Sequence, residues 1–279
     1  LYQQGPFALK QAAYMRIFGK AGMKLEKYIP AVQLKPFVKS FMILTSERGM
    51  ENMILPDTSI VLAFRLKGNT RYTEESVETG LPASVITGIR KSSRVIGYEK
   101  QTASLLVSFH ETGAAAFFRS PLHELQGASV SLNNLIKQQK IRDIEEQLAE
   151  ASTNLQRVAL VEQFLLSELK NSSPDLLVRD AVQTIRLAKG QVRIKDLITP
   201  LYISRDPFEK RFRQATGTSP KQFAGIVRLR NLIDNYTGHT SLTDAAHTAG
   251  YFDQAHFIKD FKSFTGQAPL DFFRTFSWW

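Results

Sequence analysis

The stretch Phe208–Phe223, FEKRFRQATGTSPKQF, returns 49 positions later as Phe257–Phe272, FIKDFKSFTGQAPLDF. Phe208, Lys210, Phe212, Thr216, Gly217, Pro220 and Phe223 are matched by identical residues, and Arg213 by Lys262. So many coincidences in a short block mean that one structural unit is used twice. In each copy the aromatics stand at i and i+4, on one face of a helix, while the lysine between them points elsewhere. Thr-Gly then ends the helix, and a proline opens the next one.

Working outward, the residues from Asp175 to about Phe276 read as helices near 176–189, 194–199, 205–215, 220–236, 242–249, 254–264 and 269–274. Ser204 and Asp253 are placed to cap the two repeated helices, and Ser219 to cap the helix that begins at Pro220. That long helix, about 25 Å at ~1.5 Å per residue, joins two helix-turn-helix units. Their second helices then fall near the ~34 Å repeat of duplex DNA, so one chain could read two adjacent major-groove segments. The exposed faces nominate Arg205, Asp206, Glu209, Lys210 and Arg213 in the first unit, and Gln254, His256, Lys259 and Lys262 in the second. Gln254 suits adenine, Lys210 and Lys259 guanine, Glu209 cytosine, while Arg213 and Lys262 suit phosphates. For one helix alone, a solvated polar face is the simpler reading. Two matched faces at a fixed spacing argue against it.

Before these helices the pattern differs. Phe37–Leu44, Ile54–Leu55, Ser59–Leu66, Ser84–Ile89, Arg94–Tyr98 and Ser104–Phe109 are short apolar runs between turn residues, and they predict a mostly antiparallel β barrel or sandwich. Two amphipathic helices follow. Ile141, Ile144, Leu148 and Ala151 form one stripe, and Leu155, Val158, Leu160, Val161, Phe164, Leu165 and Leu169 another. The chain thus reads as an α+β protein of two domains. Residues 1–22 are taken as a leader or expression remnant ahead of Met23, 23–130 as a β-rich sensor or regulatory domain, 131–174 as a helical dimerisation or linker region with a hinge at 171–174, and 175–279 as the DNA-binding domain.

Composition narrows the function. The 279 residues carry a net charge of +10, which favours a polyanionic partner, but the excess divides evenly about Asp175, so the placement of basic residues matters more than their number. The absence of cysteine excludes disulfides, thiolate catalysis and cysteine-based zinc fingers. The apolar runs are far shorter than the roughly 18 residues of a membrane helix. His110 and His123 are too few for a metal site in the β domain, and His239, His247 and His256 lack ligand spacing. No phosphate loop or nucleophile elbow is present. The expectation is therefore a protein that is not an enzyme and uses no cofactor or metal.

Gly250-Tyr251-Phe252-Asp253-Gln254-Ala255-His256-Phe257, followed by Phe261-Lys262, Gly266, Pro269 and Phe272-Phe273, resembles the AraC/XylS family of bacterial transcription regulators, and the resemblance extends from Ile194 to Phe273. It implies two helix-turn-helix motifs joined by a long helix, with base contacts at Asp206, Glu209, Lys210, Gln254, His256 and Lys259. The first motif departs from the family pattern: Ile198 stands where alanine is usual, Tyr202 where a turn glycine is usual, and Leu232 replaces an alanine of the linker helix. Tyr28-Ile29-Pro30, Leu34–Val38, Leu55-Pro56-Asp57 and Val107–Phe109 with Gly113-Ala114 look like the β domain that precedes such readers in some regulators. The partners implied are double-stranded DNA, a small-molecule effector, a second copy of the chain and RNA polymerase, in the cytoplasm and away from membranes. A ligand-binding or protein-interaction scaffold that does not touch DNA remains the alternative at this point.

Overall fold

The computed structural model describes residues 23–74, 77–170 and 175–275. The expected leader and hinge lie outside them. Among the described residues, the N-terminal part is one antiparallel sheet of eight strands: β1 Met23–Tyr28, β2 Val38–Ile54, β3 Val61–Lys67, β4 Thr70–Glu74, β5 Val77–Gly80, β6 Ser84–Thr87, β7 Arg94–Phe109 and β8 Ser129–Ser131. The order is β1-β2-β7-β3-β6-β8, with the β4–β5 hairpin attached to the first half of β7. No pairing joins β1 to β8, so the sheet is open and does not close into a barrel.

Two of its strands are longer than the apolar runs suggested. The polar stretches that interrupted those runs pair with each other, Ser46 with Thr102, Arg48 with Lys100 and Met50 with Tyr98, so 37–44 merges with 54–55 into β2, and 94–98 with 104–109 into β7. The other edge of β7 passes from β4 to β3 beside Gln101, whose φ of 57° marks the break.

One face of this sheet carries Phe41, Ile43, Leu62, Phe64, Leu105 and Val107 into the main core. Helices α1 (Gln138–Glu150) and α2 (Asn154–Glu168) cover it with Ile141, Ile144, Leu148, Val158, Val161, Phe164 and Leu165. A reciprocal cap starts α2: the Thr153 hydroxyl accepts from the Gln156 amide at 3.2 Å, and the Gln156 side chain accepts from the Thr153 amide at 3.2 Å. Leu155, expected in the stripe, is exposed, because it sits at the first turn beyond the edge of the contact.

The C-terminal part consists of α3 Leu176–Leu187, α4 Ile194–Ile198, α5 Arg205–Thr216, α6 Pro220–Asn235, α7 Leu242–Thr248, α8 Gln254–Thr265 and α9 Pro269–Thr275. Two cores form around α6. Its first half supplies Phe223, Ala224 and Val227 to a cluster with α3, α4 and α5. Its second half supplies Leu229, Leu232 and Ile233 to a cluster with α7, α8 and α9. Between them Ile226 turns toward the β domain and belongs to the sheet's own core. Within Pro220–Asn235 only Lys221 and Asn235 are exposed.

Polar contacts reinforce that seam. Arg230 donates to the backbone carbonyls of Pro56 at 2.7 Å and Leu55 at 3.0 Å, and Arg186 pairs with Glu111 while donating to the Thr58 hydroxyl at 2.7 Å. Crowding at this boundary works against charge on Asp57. The nearby Arg230 and Lys39, with the Thr58 amide, nevertheless hold its carboxyl below its ordinary value.

Candidate nucleic-acid interface

Helices α5 and α8 are built alike because their sequences supply the same parts. Phe208 and Phe212 in α5, and Phe257 and Phe261 in α8, are buried edge to face or tilted against each other, with centroids 5.7 and 5.5 Å apart. The Phe that follows each proline completes the cluster: Phe223 lies 5.5 Å from Phe212, and Phe272 lies 5.2 Å from Phe261. Both helices end at a left-handed glycine, Gly217 at φ 85° and Gly266 at φ 78°. Even the corner bonds repeat. The Thr216 hydroxyl donates to the Phe212 carbonyl at 2.8 Å and accepts from the Thr218 amide at 3.3 Å; the Thr265 hydroxyl donates to Phe261 at 2.8 Å and accepts from Gln267 at 3.2 Å.

The starts of the two helices differ. Asp253 caps α8 by accepting from the His256 amide at 2.7 Å. Ser204 occupies the same position before α5 but its side chain makes no capping bond. The residue three places on is Pro207, which has no N–H to give. The turns differ as well. The second motif turns at Gly250, φ 81°, whereas the first turns at Tyr202, φ 49°, whose ring is 98% exposed. A left-handed non-glycine residue is strained by roughly 1–2 kcal/mol, part of which glycine gives back through a more mobile unfolded chain. Tyr202→Gly is therefore expected to stabilise the protein by about 1 kcal/mol, raising the thermal midpoint by about 2–4 °C in calorimetry. An unchanged or lower midpoint would show that this turn stores no strain.

Each repeated helix borders a surface hollow, and the two hollows are lined by equivalent positions. Asp206, Glu209, Lys210, Arg213 and Gln214 line the first; Ala255, Ile258, Lys259, Lys262 and Ser263 line the second. These residues fall at i, i+3, i+4, i+7 and i+8, one stripe opposite the buried aromatics. The structure thus brings Asp206, Glu209, Lys210 and Arg213 together on α5, and Lys259 and Lys262 together on α8. Arg205 and Gln254 are exposed at the first turn of their helices. His256 stands apart on the flank, its ring 5.5 Å from that of Tyr251 and 3.6 Å from the Asp260 carboxylate. Asp260 also pairs with Arg228 at 3.1 Å, and the Arg228 guanidinium lies 4.2 Å above the Tyr251 ring, so this flank is tied to α6.

Five lining residues escaped the sequence reading, among them Gln214 and Ser263 at equivalent ends of the two stripes. Ile258 and Ala255 are apolar, and a search for hydrogen-bonding groups passes over them, although the repeat itself maps them onto Glu209 and Asp206. His123 comes from the β domain, at the 3-10 turn Leu122–Leu125, and borders the first hollow. No sequence period could have brought it there.

The β domain holds both repeats by their Thr-Gly corners. Gln126 donates to the Thr218 hydroxyl at 3.2 Å and the Gln222 side chain at 2.7 Å. Ser93 donates its amide to the Phe264 carbonyl at 2.7 Å and its hydroxyl to the Thr265 carbonyl at 2.9 Å. Among the described residues, no group of three or more His, Asp or Glu is placed to hold a metal ion, and no helix is long and apolar enough to cross a membrane.

Comparison with known proteins agrees with this layout. A family model described as a helix-turn-helix domain matches residues 198–275, which contain α5, α6 and α8, and one described as a domain of unknown function (DUF6597) matches residues 26–131. The Msm operon regulatory protein of Streptococcus mutans is 32% identical over 120 residues, covering 41% of this chain and 42% of that protein. The match thus spans less than half the length of that curated relative. Among solved structures, ToxT from Vibrio cholerae is similar at a TM-score of 0.44 and 10% identity, over 92% of this chain and 100% of that one. The duplicated unit and the segment from Gly250 to Phe257 therefore lie within a region that matches a helix-turn-helix domain family.

Proposed function

We propose that this protein is a sequence-specific DNA-binding transcription regulator that reads two adjacent major-groove segments with α5 and α8. One observation carries the proposal: two helices, buried through equivalent aromatic residues, present equivalent five-residue exposed stripes on either side of α6. That helix has 16 residues, so at ~1.5 Å each it spans about 24 Å and keeps the stripes at a fixed separation. A scaffold that contacts only proteins gives no reason for two matched stripes that each carry a pair of basic residues. On this reading Lys210, Arg213, Lys259 and Lys262 meet phosphates and guanine, Gln254 meets adenine, and Arg205, Asp206, Glu209 and His256 take the remaining contacts.

Control is assigned to the N-terminal domain, whose Ser93 and Gln126 grip one corner of each reader. A small-molecule effector or a second copy of the chain that shifted this domain would move both corners at once. RNA polymerase completes the set of partners, in the bacterial cytoplasm. Selection from a pool of randomised duplexes, followed by binding across a salt series, tests the proposal. A bipartite site is expected, with affinity falling about 10³-fold or more between 50 and 200 mM salt if some six phosphates are neutralised. Enrichment of no motif, or binding indifferent to salt, would sink it.

A further inference from the structure

The two stripes differ most at their second positions. In α8 that position is Ile258, an apolar side chain 39% exposed, with Ala255 before it and Lys259 and Lys262 after it on the same stripe. In α5 it is Glu209, which accepts from the Arg205 guanidinium at 2.9 Å and the Arg213 guanidinium at 3.2 Å. The flanking positions one turn away follow the same division. Arg205 and Arg213 bracket Glu209 in ion pairs, while Gln254 and Lys262 bracket Ile258, which has nothing to pair with.

We propose that the residue at this shared position selects the base class each motif reads, Ile258 taking thymine through its C5-methyl group and Glu209 taking cytosine through its N4 amino group. The claim rests on the DNA-reading function above and names what that function discriminates. Thymine offers the only apolar group in the major groove, and cytosine the amino donor that a carboxylate can accept. Ile258 and Ala255 form an apolar spot that two flanking ammonium groups direct toward a polyanion. Gln254, one turn before Ile258, suits the adenines of the same A·T-rich segment. Glu209 works in the opposite sense. Off DNA its carboxylate offsets two guanidiniums. When these turn to guanine or phosphate, the carboxylate loses both partners, and only a base that donates to it restores the balance. The binding site is then compositionally lopsided, G·C-rich under α5 and A·T-rich under α8.

The test uses the full chain and its selected duplex. Replacing each thymine of the α8 half-site by deoxyuridine removes one methyl group and nothing else. At one position the unaltered protein is expected to lose affinity about fourfold, the worth of burying one such group, whereas Ile258→Ala binds both duplexes equally. Glu209→Ile is expected to move the selected base in the α5 half-site from cytosine to thymine. Ile258 is solvent-facing, and a circular dichroism spectrum matching that of the unaltered protein confirms that its variant is folded. Indifference of the unaltered protein to every deoxyuridine, or an equal loss by Ile258→Ala, overturns the assignment while leaving DNA reading intact. Failure of selection to yield any motif overturns both.

Discussion

Truncation of Phe261 to alanine is expected to destabilise the second helix-turn-helix unit by about 3–5 kcal/mol, the usual cost of emptying a buried phenylalanine site. The ring is fully buried and touches three others, Phe257 at 5.5 Å, Phe272 at 5.2 Å and Phe273 at 5.6 Å. These neighbours come from α8 and α9, pinned by the Gly266 corner, so they cannot easily collapse into the space. A loss of about 4 kcal/mol is close to a thousandfold in the folding equilibrium and a large part of the ~5–15 kcal/mol that holds a typical domain. Chemical denaturation should show a first transition confined to the 242–275 helices, while the first unit, built on Phe208, Phe212 and Phe223, melts later. A cost below about 1 kcal/mol would mean that the second aromatic cluster is not a core.

Reversing the charge at Lys259 should have the largest effect on DNA affinity. Its side chain is exposed on the second stripe, and among the described residues no carboxylate pairs with it. Lys259→Glu removes an attraction and sets a negative charge against the duplex, a change of several kcal/mol. A weakening of about 100-fold or more in fluorescence anisotropy at fixed salt is expected. Lys210→Glu, the equivalent change in α5, should cost about tenfold, because Asp206 and Glu209 already temper the field there and His123 stands over the same hollow. Equal losses at both positions would contradict the inequality of the two readers, and no loss at Lys259 would remove α8 from the interface.

Much of this was written in the chain. The 49-residue repeat, with Thr-Gly and proline punctuation, located every C-terminal helix to within two residues, because helix periods and caps are local signals. The sheet was less legible. Strands β4 and β5 are polar hairpin strands, and the outer halves of β2 and β7 are held mainly by pairing with each other and with β4, so no apolar run announces them. Along the two stripes, the charged residues were legible in the sequence, and Gln214, Ala255, Ile258 and Ser263 were passed over. Ile258 reads as core by residue type, and only its exposure at the edge of the stripe, beside Lys259 and Lys262, shows that it reaches solvent. Ser204 reads as a cap by residue type, and Pro207 removes the bond that would make it one.

Helix α6 answers to three neighbours at once. Phe223 fits the first helical cluster, Leu232 the second and Ile226 the sheet. A substitution here must satisfy every one of those surroundings, whereas a change at the outward stripes needs only to suit the nucleotide opposite. Divergence within such a chain should therefore be fast in what it recognises and slow in the axle on which both recognisers are mounted.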